Sequence, residues 1–482
     1  MAETQGNRAI LNRKEWQTMM PPITATAAGS FVASDQAGLC RFSLYMVSGT
    51  VHYLYDNEND DYLPITSGAF AGTFVAGACG LYHPWSVTFT ATGGTTTTIN
   101  VNSATSNING LVVGSYVEFL SGAAANLGLR RRITNIETVG GTGTLILTID
   151  AAASAVNNTD TFRINSGSFF VLATGTLASG SFRRFDIATM AWSTLSITGL
   201  PATWGTDGRM VTPAIYDSTY DSGTASAGAA TTITDATKAW TADQWINSQV
   251  RITGGTGVGQ SPRRITDSDA TSLTVSGWTT NPDATSTYKI EGDENSIFLL
   301  GNNAVTMYKY SISGNTWATV APTTARSGAP IAGMSADFVG KTGNSVWADI
   351  TDIKDGRYIY SLRGGTSVID RYDIAGGAGG AGAWLAVTYS PSLQTFATGD
   401  SAFWDYETII IAKEGTAAIP QRFYQYNVVN NSMNPFSSDW YFGGAALLGC
   451  KIWVKKLSSA GTVRWLYCLQ STALNLRRIM IY

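Results

Sequence analysis

A chain of 482 residues carries 13% charged residues and a net charge of −3, with 31 Lys and Arg against 34 Asp and Glu. That balance offers no global attraction to nucleic acid or acidic lipid, and the length points to several domains or one large repeat architecture. Soluble domains average roughly 25% charged residues, so the polar surface here must come from Thr, Ser, Asn and Gly, which suit strands and tight turns.

Cys40, Cys79, Cys450 and Cys468 show no C-x-x-C spacing and read as buried free thiols. The opening MAETQGNRAILNRKEW lacks an apolar stretch behind its basic residues, so no secretory signal is expected. No run of about 18 apolar residues marks a membrane helix. The expectation is a protein made and folded in a cytoplasm, without membrane insertion.

In chain order, the first element is RKEWQTMMPP (13–22), which has the Trp-to-Pro spacing of a returning strand with no partner before it. A repeated unit follows: a short apolar strand, a Gly-containing link, an aromatic strand, a turn, then Trp and often Pro. It recurs at 41–64, 169–195, 297–322, 358–387 and 409–436, with Tyr62 in the Trp place of the first copy and Met433 and Pro435 in the fifth. In MYKYSISGNTWATVAP, Tyr308, Tyr310 and Ile312 share one strand face and Lys309 and Ser311 the other; SGNT turns the chain and Trp317 opens the return. The last residues, 464–482, repeat only the first half of the unit. Both chain ends therefore complete one blade, which leaves no open sheet edge.

The expected fold class is all-β: a six-bladed β-propeller closed by N- and C-terminal strands, with a β-sandwich as the alternative. The unit resembles the Kelch-type propeller repeat, on residues such as Arg371-Tyr372-Asp373 with Trp384. The Gly-Gly doublet usual in that family stands as RGG at 363–365 and as GNN at 301–303.

Two long insertions separate the first three units. The boundaries read 1–85 propeller, 86–166 inserted β-domain, 167–220 propeller, 221–292 a second and related β-domain, and 293–482 propeller. The insertions share Arg131-Arg132-Ile133-Thr134 with Arg263-Arg264-Ile265-Thr266, and Phe162-Arg163-Ile164 with Tyr288-Lys289-Ile290. Each is expected to be a small barrel or sandwich projecting from a blade loop. GTGVGQSPRRIT leads into a strand and lacks the Gly-Lys-Ser/Thr of a phosphate loop. The second insertion resembles small β-modules of tailed-bacteriophage virion proteins, on Trp245, Val250 to Ile252, Gly254, Gly255, Gly257, Gly259, Gln260, Arg264, Ile265, Leu273 to Val275, Trp278 and the stretch PDATSTYKI.

No catalytic residue and no cofactor is expected. His52 and His83 stand outside any metal-ligand cluster, and no G-x-S-x-G elbow occurs. The turn before Trp317 matches the Gly-x-Thr-Trp end of a sialidase Asp-box but has Ile312 in the Asp place. Asp56, Glu58 and Asp60 alternate as a weak cation candidate, set against a solvated turn. Arg131, Arg132, Arg263, Arg264, Trp440 and Tyr441 are the candidate binding or interface residues.

The resemblances imply a structural component of a tailed-phage virion, placed in the tail as a nozzle-ring subunit and assembled in the host cytoplasm. Implied partners are other virion proteins and copies of this chain in a six-fold ring, with no sequence-specific nucleic acid. A capsid-surface or fibre protein binding host glycan, and a carbohydrate-active propeller enzyme, are the alternatives.

Overall fold

The computed structural model describes residues 17–18, 31–34, 40–48, 51–65 apart from 58, 78–102, 113–139 apart from 124, 143–205, 208–214, 219–301, 304–327, 338–341, 355–391 apart from 378–379, 395–396, 400–405, 408–413, 422–435 apart from 429, 451–456, 464–469 and 476–481. Among these the chain is all-β, with no α-helix. Its sheets are antiparallel throughout, and the arrangement is propeller-like.

The first strand, β1 (Gln17–Thr18), finds its partner at the far end of the chain. Next come β2 (Phe31–Ala33), β3 (Phe42–Ser48), β4 (Val51–Asp56) and β5 (Asp61–Pro64), a four-stranded sheet in chain order. Strand β6 (Cys79–His83) opens a second sheet, but six strands intervene: β7 (Thr88–Gly94), β8 (Thr98–Asn102), β9 (Tyr116–Phe119), β10 (Arg130–Val139), β11 (Thr144–Ile149) and β12 (Asn158–Ile164). The second sheet then resumes with β13 (Ser168–Leu172), β15 (Phe182–Asp186) and β16 (Ala191–Thr194). The short β14 (Gly175–Thr176) pairs with β17 (Thr203–Trp204) beside it.

The third sheet is interrupted in the same place. Strand β18 (Arg209–Val211) is followed by β19 (Asp221–Thr224), β20 (Ala227–Gly228), β21 (Thr232–Thr234), β22 (Ser248–Gly254), β23 (Arg263–Ser268), β24 (Ser272–Val275) and β25 (Thr287–Gly292). Only then do β26 (Ser296–Gly301), β27 (Ala304–Ser311) and β28 (Thr316–Val320) complete it. Both insertions thus lie between the first and second strands of a sheet, and not after a finished sheet. The repeat unit covers only the last three strands, which is why the sequence places the insertions between units.

Two uninterrupted sheets follow: β29 (Phe338–Lys341), β30 (Asp355–Leu362), β31 (Ile369–Asp373) and β32 (Ala383–Val387), then β33 (Ser401–Asp405), β34 (Thr408–Lys413), β35 (Arg422–Asn427) and β36 (Ser432–Pro435). The last combines β37 (Lys451–Lys456), β38 (Arg464–Leu469) and β39 (Leu476–Ile481) with β1, Gln17 lying opposite Arg478.

The repeated aromatics have one job in five of the four-stranded sheets. Tyr55 lies opposite Tyr62, Phe185 opposite Trp192, Tyr310 opposite Trp317, Tyr372 opposite Trp384 and Tyr426 opposite Met433. Five residues beyond the first aromatic, Asp60, Met190, Asn315 and Asn431 adopt φ of 55°, 53°, 49° and 54° to turn the hairpin. Asp and Asn tolerate that left-handed conformation. The Tyr310 and Tyr426 hydroxyls each donate 2.7 Å to the Asn315 and Asn431 side chains, and Tyr55 donates likewise to Asp60.

Apolar side chains weld each sheet to its neighbours. Leu44 and Leu54 pack with Phe169 and Val171; Phe170 and Phe182 with Leu299 and Tyr310; Phe298 and Met307 with Tyr372 and Trp384; Tyr360 and Ile369 with Ile409 and Tyr426. Tyr45 and Tyr55 pack with Trp465 and Tyr467, and Phe403 reaches that same cluster.

Candidate functional site

The two insertions have one connectivity. β7 to β12 close into a barrel in which neighbours run β7-β12-β9-β10-β11-β8 and back to β7. The second module runs β19-β25-β22-β23-β24-β21-β20, the same order with β7 replaced by the two pieces β19 and β20. Registers agree residue by residue: Val117 opposes Arg131 and Ile164, as Val250 opposes Arg263 and Ile290. The bulge after Ile133 recurs after Ile265. By this register Glu118, opposite Arg163, is the equivalent of Arg251, opposite Lys289.

These equivalents meet. A cleft of about 550 Å³ lies where the modules join the second and third sheets, lined by residues of both. At its floor the Glu118 carboxylate accepts hydrogen bonds from Arg251 and, at 2.8 Å, from Arg163, with Arg130 at 3.4 Å. Arg251 also donates to Glu291 at 2.6 Å and lies 3.3 Å from Glu294. Glu294, in the link from β25 to β26, is a hub: it accepts from Trp85 Nε1 at 2.8 Å, from Arg163, and from Arg130 and Arg251 at longer range. Trp85, in the link from β6 to β7, lies under two guanidinium groups, Arg163 at 3.9 Å and Arg130 at 4.9 Å from the ring centroid.

Glu118 and Arg251 are 2% and 4% exposed, so unpaired charge would be expensive there. Burial pushes Glu118 and Glu294 upward, and the arginines overcome it: Arg251, Arg163 and Arg130 hold Glu118 below the usual glutamate range. Arg163, Arg251 and Arg130 likewise hold Glu294 well below that range. Burial pushes Arg251 down while Glu118, Glu291 and Glu294 more than restore it, so it stays charged. His83 donates from Nε2 to the Glu294 carbonyl at 3.0 Å and accepts at Nδ1 from the Trp85 amide. Burial first, then Arg184, pushes it down to about 4, so it is neutral. Lys309 faces the same cleft; burial pushes it down to about 8, with Asp293 opposing.

The second module has a further attachment. Asn247 donates 3.0 Å to the Gly380 carbonyl, and to that of Ile374, both in the link from β31 to β32.

The residues singled out in the sequence fall in several places. Arg131 and Arg263 serve their own modules, each donating from Nε at 2.6 Å to the carbonyl two residues past its neighbouring strand, Ala151 and Gly277. Arg132 is exposed on β10, whereas Arg264 lines the cleft and donates to Asn247. The four arginines therefore do not converge. Asp56 accepts from Arg41 at 3.0 Å and Asn59 at 2.8 Å, and Asp60 from Tyr55, so both carboxylates brace the β4–β5 turn. Among the described residues no group of three His, Cys, Asp or Glu side chains is placed to hold a metal. Glu58, Trp440 and Tyr441 lie outside the described residues.

Glu118, Arg251, Glu294 and Trp85 were missed. The available signal was a charge reversal, since SYVEF aligns with SQVRI between the two related insertions.

No protein-family model matches this sequence, and no curated protein does. Among solved structures, a chain from the crystal structure of a mitotic checkpoint complex aligns over 98% of this chain and 94% of its own, at 10% identity and a TM-score of 0.33. PorZ, a bacterial surface component of the type-IX secretion system of Porphyromonas gingivalis, aligns over 92% of this chain and 50% of its own, at 10% identity and a TM-score of 0.24. Likeness this remote assigns neither family nor function.

Proposed function

We propose that this chain is a structural, non-enzymatic subunit of a tailed-phage virion, a six-bladed propeller closed by its two ends and serving as part of a tail nozzle ring. The observation that carries the reading is that the carboxylates gathered where the two modules meet are each held by arginines. Glu118, Glu291 and Glu294 are bound by Arg130, Arg163 and Arg251. Such matching fixes the angle between domains, and it leaves the carboxylates engaged instead of poised for proton transfer. Sheets packed on neighbours through apolar clusters supply the rigidity that a load-carrying ring needs. The resemblance of the second module to phage virion modules gives the setting, and the general preference of identical subunits for closed symmetry supports a ring.

The test is the particle itself. Quantitative mass spectrometry of purified virions, with the chain labelled for imaging, should find it at the tail in a small multiple of six copies. Its presence only in infected-cell extract, or turnover of a glycoside abolished by one carboxylate substitution, would overturn the reading.

A further inference from the structure

The contact between the two inserted modules has the character of a dimer interface written into one chain. In a two-fold dimer each residue near the axis meets its own counterpart. Glu118 and Arg251 occupy the same register position in modules of the same strand order, and they are hydrogen bonded to each other. A second pair behaves alike. Counting back from Arg131 and Arg263, Leu127 is the counterpart of Gly259, and these two touch: a side chain on Gly259 would begin 2.2 Å from the Leu127 Cβ. Gly128 abuts Gly259 as well, its own missing Cβ falling 3.0 Å from the Gly259 Cα.

We infer that the module is a self-pairing unit whose natural partner is a second copy of itself, and that the Glu118–Arg251 reversal restricts pairing to one first module with one second module. Two first modules would bring Glu118 against Glu118, and two second modules Arg251 against Arg251, each a buried like-charge contact. Only the mixed pair sets opposite charges against each other at this position. Glycine at 259 acts in the same sense, because Leu127 needs the space that any side chain there would fill. Where many copies of the chain crowd together, this pairing code keeps each module on its own chain's partner and off its neighbours. The inference concerns the modules alone and holds whether or not the virion reading does.

The experiment uses the full chain and hydrogen exchange, with Glu118→Gln, Arg251→Gln, the double variant and Arg251→Glu. Each neutral variant should speed exchange at the joint, in 125–129 and 257–261, and the double should be no faster than the worse single, the mark of directly coupled groups. Arg251→Glu, which places two glutamates together, should raise exchange at the joint by about tenfold or more. Protection in β11 and β24 should persist, since both strands lie inside their own modules. Additive effects of the two neutral substitutions, or an unchanged joint in Arg251→Glu, would overturn the inference. If Arg251→Glu unfolds the second module outright, with β24 unprotected, the neutral cycle decides by the same criterion.

Discussion

Replacing Glu294 by Gln tests whether the hub holds the modules to the sheets that carry them. The substitution keeps the shape of the side chain and removes its charge. Around it, Arg130, Arg163, Arg251 and Lys289 face Glu118, Glu291 and Glu294, four cations against three carboxylates. Without the Glu294 charge, Arg163 loses one of its two carboxylate partners. Breaking a buried ion pair costs about 3–5 kcal/mol; the Glu294 side chain is 14% exposed, so solvent reduces this to roughly 2–4 kcal/mol. With an unfolding entropy near 2.1 cal/mol/K per residue, the whole chain melting together would lose about 2–4 °C. The assay is urea unfolding followed by tryptophan fluorescence, with the exposed Glu137→Gln as control. A Glu294→Gln chain within about 0.5 kcal/mol of the parent, like the control, would refute the idea that this network holds the joint.

Three further outcomes are expected. His83 is held near 4 against an ordinary value of 6.5, so between those values the unfolded chain binds a proton that the folded chain refuses. Stability should therefore be full above pH 6.5 and fall by up to about 3 kcal/mol as pH drops to 4; His83→Gln should flatten that slope in pH-dependent urea melts. His52, lowered by burial and then Arg183, acts in the same direction, whereas the depressed glutamates add stability above their ordinary range and lose it only at still lower pH. Tyr310→Phe and Tyr426→Phe, which remove the hydroxyl donors to Asn315 and Asn431, should each cost about 1 kcal/mol in the same melts. Gly199 has φ +98° and an added Cβ would fall 1.9 Å from the Trp317 carbonyl oxygen, so Gly199→Ala should cost several kcal/mol, of the order of 3 or more, and an unshifted melt would contradict the hairpin packing described.

What the sequence determined by itself was local. Alternation in MYKYSIS makes a strand, and Asn315 five residues past Tyr310 makes its turn, because both are settled by neighbours along the chain. Recurrence of that hairpin made an all-β repeat legible, and the shared RRIT segments made the two insertions recognisable as relatives. The first strand of each sheet was not legible, since Phe31–Ala33, Cys79–His83 and Arg209–Val211 share no aromatic signature and become strands only by pairing with the repeat. Tertiary structure alone decided the joint. Glu118 and Arg251 are separated by 133 residues, and nothing near either one in the chain marks the other as its partner. Their meaning arises when folding buries them against each other, where the desolvation of each charge is offset by the other, together with Arg163 and Arg130 around Glu118, and Glu291 and Glu294 around Arg251.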